Sequence, residues 1–325
     1  MLARRTAARA GAVGLMNTFL QELSKKAAER WATVLLGPGL LFVACVLVGR
    51  HQGFAHALDP AHLRAYVNSV STDKAYQEPA GLITAAAVVL LGAAVAGLAA
   101  SSAGGLVERL WLPPGTGRWA RPLVRWRVWR WSRRALAYSR AEAEAGQEAA
   151  RNRLRGVEAP DRAGELRRLM SRRDAYSERQ PDQPTWMAQR MAGATDRVAQ
   201  RYRMDLAEIW PHIWSVADGQ VRDDIQGVRD TLVGACRTAA WGGGLLAVAG
   251  VTHWWPAAVL GLVLLHVGHR RGRAAVDTLV PLVESTVDLY LRETATRLGV
   301  ACPHVFSAAV ADRVIRVLRV GASGT

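Results

Sequence analysis

The chain has 325 residues, 50% hydrophobic and 21% charged, with 42 Lys+Arg against 27 Asp+Glu for a formal charge of +15. Three widely spaced cysteines, Cys45, Cys236 and Cys302, argue against a disulfide framework or a cysteine-built zinc site. Such a charge in a soluble protein would point to nucleic acid. Here the basic residues flank apolar runs, so positive-inside topology and anionic membrane lipids are the expected explanation, and nucleic acid is not an expected partner.

Residues 1–15 are small and basic and read as a cytoplasmic tail. Phe19, Leu23, Ala27 and Trp31 then recur every fourth residue, with Lys25, Lys26 and Arg30 opposite. That pattern predicts an interfacial amphipathic helix with Trp31 at headgroup level. Ala32–Gly49 carries no charge and approaches the length of a membrane crossing, with Pro38 kinking it or sitting in its first turns. Residues 50–79, with only Arg50, Arg64 and Lys74 as Lys or Arg, form the expected outer loop. Ala80–Leu106 is the clearest span. Its pairs Gly92/Ala96 and Ala93/Gly97 suit close helix packing, within the chain or in a homo-oligomer.

Glu108 and Arg109 end that span, and Pro113-Pro114-Gly115 stops the helix. Between Arg118 and Arg134, Trp119, Trp126, Trp129 and Trp131 alternate with arginines. Such interleaving can stack bases, but directly after a span it suits a helix on an anionic leaflet, with Trp119, Trp126 and Arg130 at the lipid interface. Residues 135–156 predict a solvated helix with a Glu148/Arg151 pair. Residues 156–184, dense in charge and punctuated by Pro160, Pro181 and Pro184, predict a mobile connector holding one short helix.

Aromatic residues return in 184–214 and predict a small helical core near the membrane face, with Pro211 ending one helix or opening the next. Pro184-Thr185-Trp186, then Tyr202, Asp205 and Leu206, then Trp210-Pro211 and Trp214, precede an apolar hairpin. In this the chain resembles a family of actinobacterial multi-pass membrane proteins without an assigned activity. Trp186, Tyr202, Trp210 and Trp214 are the candidate partner-binding residues.

Val221, Ile225, Val228, Leu232 and Cys236 keep one apolar face that runs into 238–252, predicting one long helix entering the membrane. Gly242-Gly243-Gly244 either packs closely on a neighbour or loosens that helix. His253-Trp254-Trp255-Pro256 is a turn with Trp254 and Trp255 at the interface, and Ala257–Gly268 returns. The hairpin crosses fully or is re-entrant; crossing is the preferred reading. His269-Arg270-Arg271-Gly272-Arg273 then lies in the cytoplasm. The tail predicts an amphipathic helix with Pro281 in its first turn and Gly299 as its stop, then a weaker basic helix over 310–320.

No phosphate-binding loop, nucleophile elbow or metalloprotease motif is present. His51, His56 and His62, with Asp59 and Glu78, match no ligand spacing, so neither a metal nor a cofactor is expected. His266 and His269 read as polar anchors. The apolar runs hold no Asp, Glu, Lys or Arg, which speaks against ion-coupled transport.

The fold class expected is an all-α, polytopic membrane protein with four transmembrane helices in a 2+2 arrangement and a cytoplasmic helical insert. Its parts are residues 1–31, 32–106, 107–237, 238–268 and 269–325, with both termini on the cytoplasmic side of the plasma membrane. The expected function is that of a membrane-anchored interaction or regulatory protein, not an enzyme, whose basic module binds a cytoplasmic protein. The alternative is an oligomeric channel or small-solute permease built on small-residue helix faces.

Overall fold

The computed structural model describes residues 36–72, 77–113, 117, 120–156, 161–177, 179–302 and 306–322. Among them are ten α-helices and no strand: α1 Gly37–Gln52, α2 Pro60–Thr72, α3 Pro79–Trp111, α4 Arg121–Arg155, α5 Ala163–Asp174, α6 Trp186–Tyr202, α7 Leu206–Val216, α8 Gly219–Thr252, α9 Trp255–Arg297 and α10 Ala308–Ala322. The tail and amphipathic helix expected over 1–31, with Trp31, lie outside the described residues, as does Trp119.

Two helices, α3 and α8, are long and apolar enough to cross a membrane, against the four spans expected. The reason is length and charge. Within the described residues α1 has 16 residues, short of the roughly 20 needed for a bilayer core. α9 is 43 residues long, but its apolar part ends at the His269–Arg273 cluster. Pro38 lies in the first turn of α1, where a missing N–H costs no helical bond.

Several boundaries differ from the expectation. The segment expected as a loop over residues 50–79 contains α2, capped by Asp59, whose Oδ1 accepts from the amides of Ala61 and His62. α7 runs through Pro211 and α9 runs through Pro281, so neither proline marks a helix boundary. Each proline frees one carbonyl four residues earlier, at Ala207 and Asp277. Fully buried neighbours, Ile209 and Ile213 around one and Val280 near the other, stabilise the helices against that loss. Glu148 pairs not with Arg151 but with Arg162 at 2.9 Å, while Arg151 donates to Gln147.

Contacts divide the chain into two compact units: Met1–Leu106 with Ala235–His269, and Val107–Gly234 with Arg270–Thr325. The first unit is joined by glycines. A Cβ at Gly242 would sit 2.7 Å from the Gly261 carbonyl oxygen, and one at Gly261 would sit 2.8 Å from the Gly242 carbonyl oxygen. Gly268 meets the Ala235 carbonyl, Gly39 meets the Ala93 carbonyl, and Gly104 lies against the Arg237 backbone. α8 therefore packs backbone to backbone on α9 and α3, and α1 does the same on α3. Such approach lets dispersion hold helices together where lipid removes hydrophobic exclusion. Ala93, Gly97, Ala100 and Gly104 are the buried side of α3. Its other side exposes Leu91, Val95 and Leu98, and only 11% of its most apolar stretch is buried.

In the second unit, Ile209, Ile213, Val287, Leu291 and Val314 centre a core of α6, α7, α9 and α10. Val310, Ala311 and Val314 are the buried stripe of α10, with Arg313 and Arg316 exposed opposite.

Candidate interaction site

The second unit is built around Trp111, the last residue of α3. Thr185 uses its side chain twice: Oγ1 donates to the Trp111 carbonyl and accepts from the Ala188 amide at 3.1 Å, capping α6. The Trp111 ring lies on Gly272, where an added Cβ would meet Cζ3 at 2.6 Å. Gly272 is thus the one position in the basic cluster that lets the indole through.

In the segment before α6, expected as a mobile connector, the described residues Ser177, Asp182 and Gln183 are held by hydrogen bonds. Gln189 Oε1 accepts from the amides of Asp182 and Gln183. Buried Arg127 donates to the Gln183 carbonyl at 3.0 Å, and Trp131 Nε1 donates to the Ser177 carbonyl at 3.0 Å. Side chains distant in sequence thereby satisfy backbone groups that hydropathy cannot show to be satisfied. Burial lowers the Arg127 pKa, partly offset by Tyr176. α5, the short helix expected in this segment, packs along α4.

Of the candidate partner-binding aromatics, Trp186 opens α6 with the Arg273 guanidinium 4.1 Å from its ring centroid. Tyr202 donates to Asp288 at 2.6 Å and meets Phe306 edge-on. Its pKa is raised, first by burial and then by Asp288. Trp210, partly buried, packs against both apolar clusters of the unit. Trp214, half-buried, lies 5.8 Å from Trp210 and packs on the smaller cluster of Ile225, Leu279 and Val283. Trp210 and Trp214 thus come together, and Trp186 and Tyr202 hold opposite ends of α6. Packed on that smaller cluster too, Met191 and Leu206 join Val280, Val283 and Leu112 in lining an apolar groove of about 310 Å³.

A charge ladder joins α6 to α9, and the sequence reading missed it. Arg190 pairs with Asp277 at 3.5 Å, Arg197 with Glu284 at 2.6 Å and Arg201 with Asp288 at 2.8 Å. The partners keep a constant offset of 87 residues, which requires the two helices to run in the same direction. The only available signal was the matching 7-then-4 spacing of arginines and acids. Beside it, a cleft of about 420 Å³ is lined by Asp174, Tyr176, Arg179, Arg190, Gly193 and Asp196.

α4 is one helix where an interfacial segment and a solvated helix were expected to follow one another. Arg127, Trp131, Arg134 and Tyr138 face the unit: Arg134 stacks on Tyr176 at 4.6 Å and Arg173 on Tyr138 at 5.2 Å. Away from that face Trp126, Trp129 and Leu136 are exposed, Trp126 50% and Trp129 54%. Arg130 covers the Trp126 ring at 5.2 Å and Arg133 covers the Trp129 ring at 4.8 Å. Trp126 and Arg130 thus occupy the outward face, together with Trp129 and Arg133.

In the first unit, Trp254 Nε1 donates to the Ala57 carbonyl at 3.0 Å, tying the α8–α9 turn to the segment before α2, while Trp255 opens α9 partly exposed. His56, His62, His51 and Tyr66 form a stacked column with centroid spacings of 4.5, 4.8 and 4.0 Å. The amides of His62 and Ala61 hold the Asp59 carboxyl below its ordinary pKa. Among the described residues no group of three or more His, Cys, Asp or Glu is placed to hold a metal ion.

The chain matches no protein-family model, no curated protein and no solved structure.

Proposed function

We propose that the protein is a membrane-anchored interaction or regulatory protein, not an enzyme, whose first unit sits in the plasma membrane and whose basic helical unit serves a cytoplasmic partner. In this reading α1 and α9 accompany α3 and α8 as shorter or tilted membrane helices, making the 2+2 arrangement, with both termini cytoplasmic. Exposed Leu41 and Leu47 on α1, and Val259 and Leu262 on α9, support that placement, because such side chains favour hydrocarbon over water.

The observation that carries the functional reading is the surface at Trp214. There an indole is spent on a small, partly open cluster next to an apolar groove, while the main core lies elsewhere. Half-buried aromatic and Met side chains such as Trp214 and Met191, beside a groove, are common anchors of protein partners. Ala93/Gly97 and Gly242 are occupied by helices of the same chain, which takes those faces from a pore, whereas Gly243, the other small-residue position of the channel reading, meets nothing within 4 Å.

A photo-cross-linking residue at position 214 of the full chain, activated in cells, tests this. One discrete protein adduct is expected, losing most of its yield in the Met191→Asp background. No adduct, or an adduct indifferent to Met191→Asp, would overturn the groove as the docking site.

A further inference from the structure

We propose that the outward face of α4, formed by Trp126, Trp129, Arg130, Arg133 and Leu136, is a headgroup-binding surface for anionic glycerophospholipids. The inference rests on the membrane placement above and names a partner for a face that placement does not itself require.

The face is defined by what the other side of the helix does. Arg127, Trp131 and Arg134 spend their polar groups on Gln183, Ser177 and Tyr176. The remaining stripe recurs at steps of three and four residues and stays exposed over its whole length. A water-facing helix does not stabilise itself by exposing two indoles and a leucine on one side. At a bilayer interface the same side chains reach the acyl boundary while the guanidinium groups remain at phosphate depth.

Charge complementarity selects the lipid. No acidic residue occurs between Glu108 and Glu142, whereas Arg121, Arg125, Arg130, Arg133 and Arg140 are all exposed. Basic residues are drawn to an anionic leaflet, and guanidinium binds phosphate diesters through two parallel donors. The stripe ends where Glu142, Glu144 and Glu148 begin, so the contact has a finite length. The tether agrees: residues 112–120 alone join α3 to α4, which limits the separation of their facing ends to roughly 35 Å.

Nucleic acid fits the same composition less well. Base stacking needs free aromatic faces, and here Arg130 and Arg133 each cover one. Interfacial insertion needs ring edges and leaves the stacked guanidinium groups in place to meet phosphate.

The test uses the full chain with its native cysteines replaced, reconstituted in bilayers of phosphatidylcholine alone or with phosphatidylglycerol. A nitroxide is placed at Ala137→Cys, on the stripe, or at Ala150→Cys, exposed further along α4. Oxygen accessibility exceeding nickel-chelate accessibility is expected at 137 only when phosphatidylglycerol is present, with 150 remaining chelate-accessible throughout. Arg130→Glu/Arg133→Glu should return position 137 to the profile of 150. Position 137 equally chelate-accessible in both bilayers would overturn the proposal, as would equal burial without anionic lipid. Protection of 137 by single-stranded RNA but not by phosphatidylglycerol would reassign the face to nucleic acid. Failure of the underlying placement reads out separately: impermeant maleimide would then label Ala150→Cys in intact cells, whatever the bilayer result.

Discussion

At the scale of single residues, the structure turns on glycines that no side chain can replace. At Gly242 the obstruction is backbone, since the Gly261 carbonyl oxygen and the Leu265 amide both lie within 2.8 Å of an added Cβ. Gly242→Val should force α8 and α9 apart and lower stability by about 1–3 kcal/mol, read as a fall in Tm of the purified full chain. Gly243, one residue on, meets nothing, so Gly243→Ala should leave Tm nearly unchanged. Gly272→Ala collides with an indole instead, and a ring can yield. Its cost, of similar order, should shrink in the Trp111→Leu background; additive losses would show that the two residues do not meet. Glycine identity was readable in the chain, but which glycines face a backbone was not, because contact depends on where another helix lies.

At the scale of elements, helices were readable and their ends often were not. The α6 start follows from Thr185, whose cap is local chemistry, and the stop near Gly299 follows from its φ of +78°. Pro211 and Pro281 misled because a proline's local cost of about 3 kcal/mol can be offset by burial that appears only on folding. The hydrogen bonds at Ser177, Asp182 and Gln183 likewise form only on folding. Arg127→Ala should raise amide exchange selectively at residues 180–185, with α6 protected until global opening. Uniform exchange across the unit would mean that Arg127 supports the whole fold and not that segment. α2 offers a pH test. The folded Asp59 pKa is depressed, so its cap contributes fully above the ordinary carboxylate range and is lost as pH falls through the folded value. α2 should therefore fray at acid pH, detected by amide exchange at residues 60–64, and Asp59→Asn should remove that dependence while still capping.

At the scale of the molecule, one unit exposes apolar side chains and the other exposes arginines and carboxylates. α3, little covered by its own chain, and α8 are long and apolar enough to cross a membrane. Ser71 on α2 and Ala150 on α4 are both exposed, so single cysteines there report topology and not accessibility within the fold. With native cysteines replaced, membrane-impermeant maleimide should label position 71 in intact cells and position 150 only after lysis. Labelling of position 150 in intact cells would place the basic unit outside and end the cytoplasmic-partner reading.

Helical class, the apolar character of α3 and α8 and the unbroken run of α8 from soluble to apolar sequence follow from the chain alone. Periodicity and hydropathy are local properties, and a window of 18 residues contains all the information they use. Tertiary structure alone decided which side of α4 faces the protein. Trp126 and Trp131 are the same residue type in the same arginine-rich run, yet one is half-exposed and the other bonds to Ser177, 46 residues away. It also decided that Trp210 packs on the core and that arginines on α6 meet acids on α9, 87 residues later in the chain. Those outcomes depend on pairing energies between distant segments, and composition records that such groups exist without recording which of them meet.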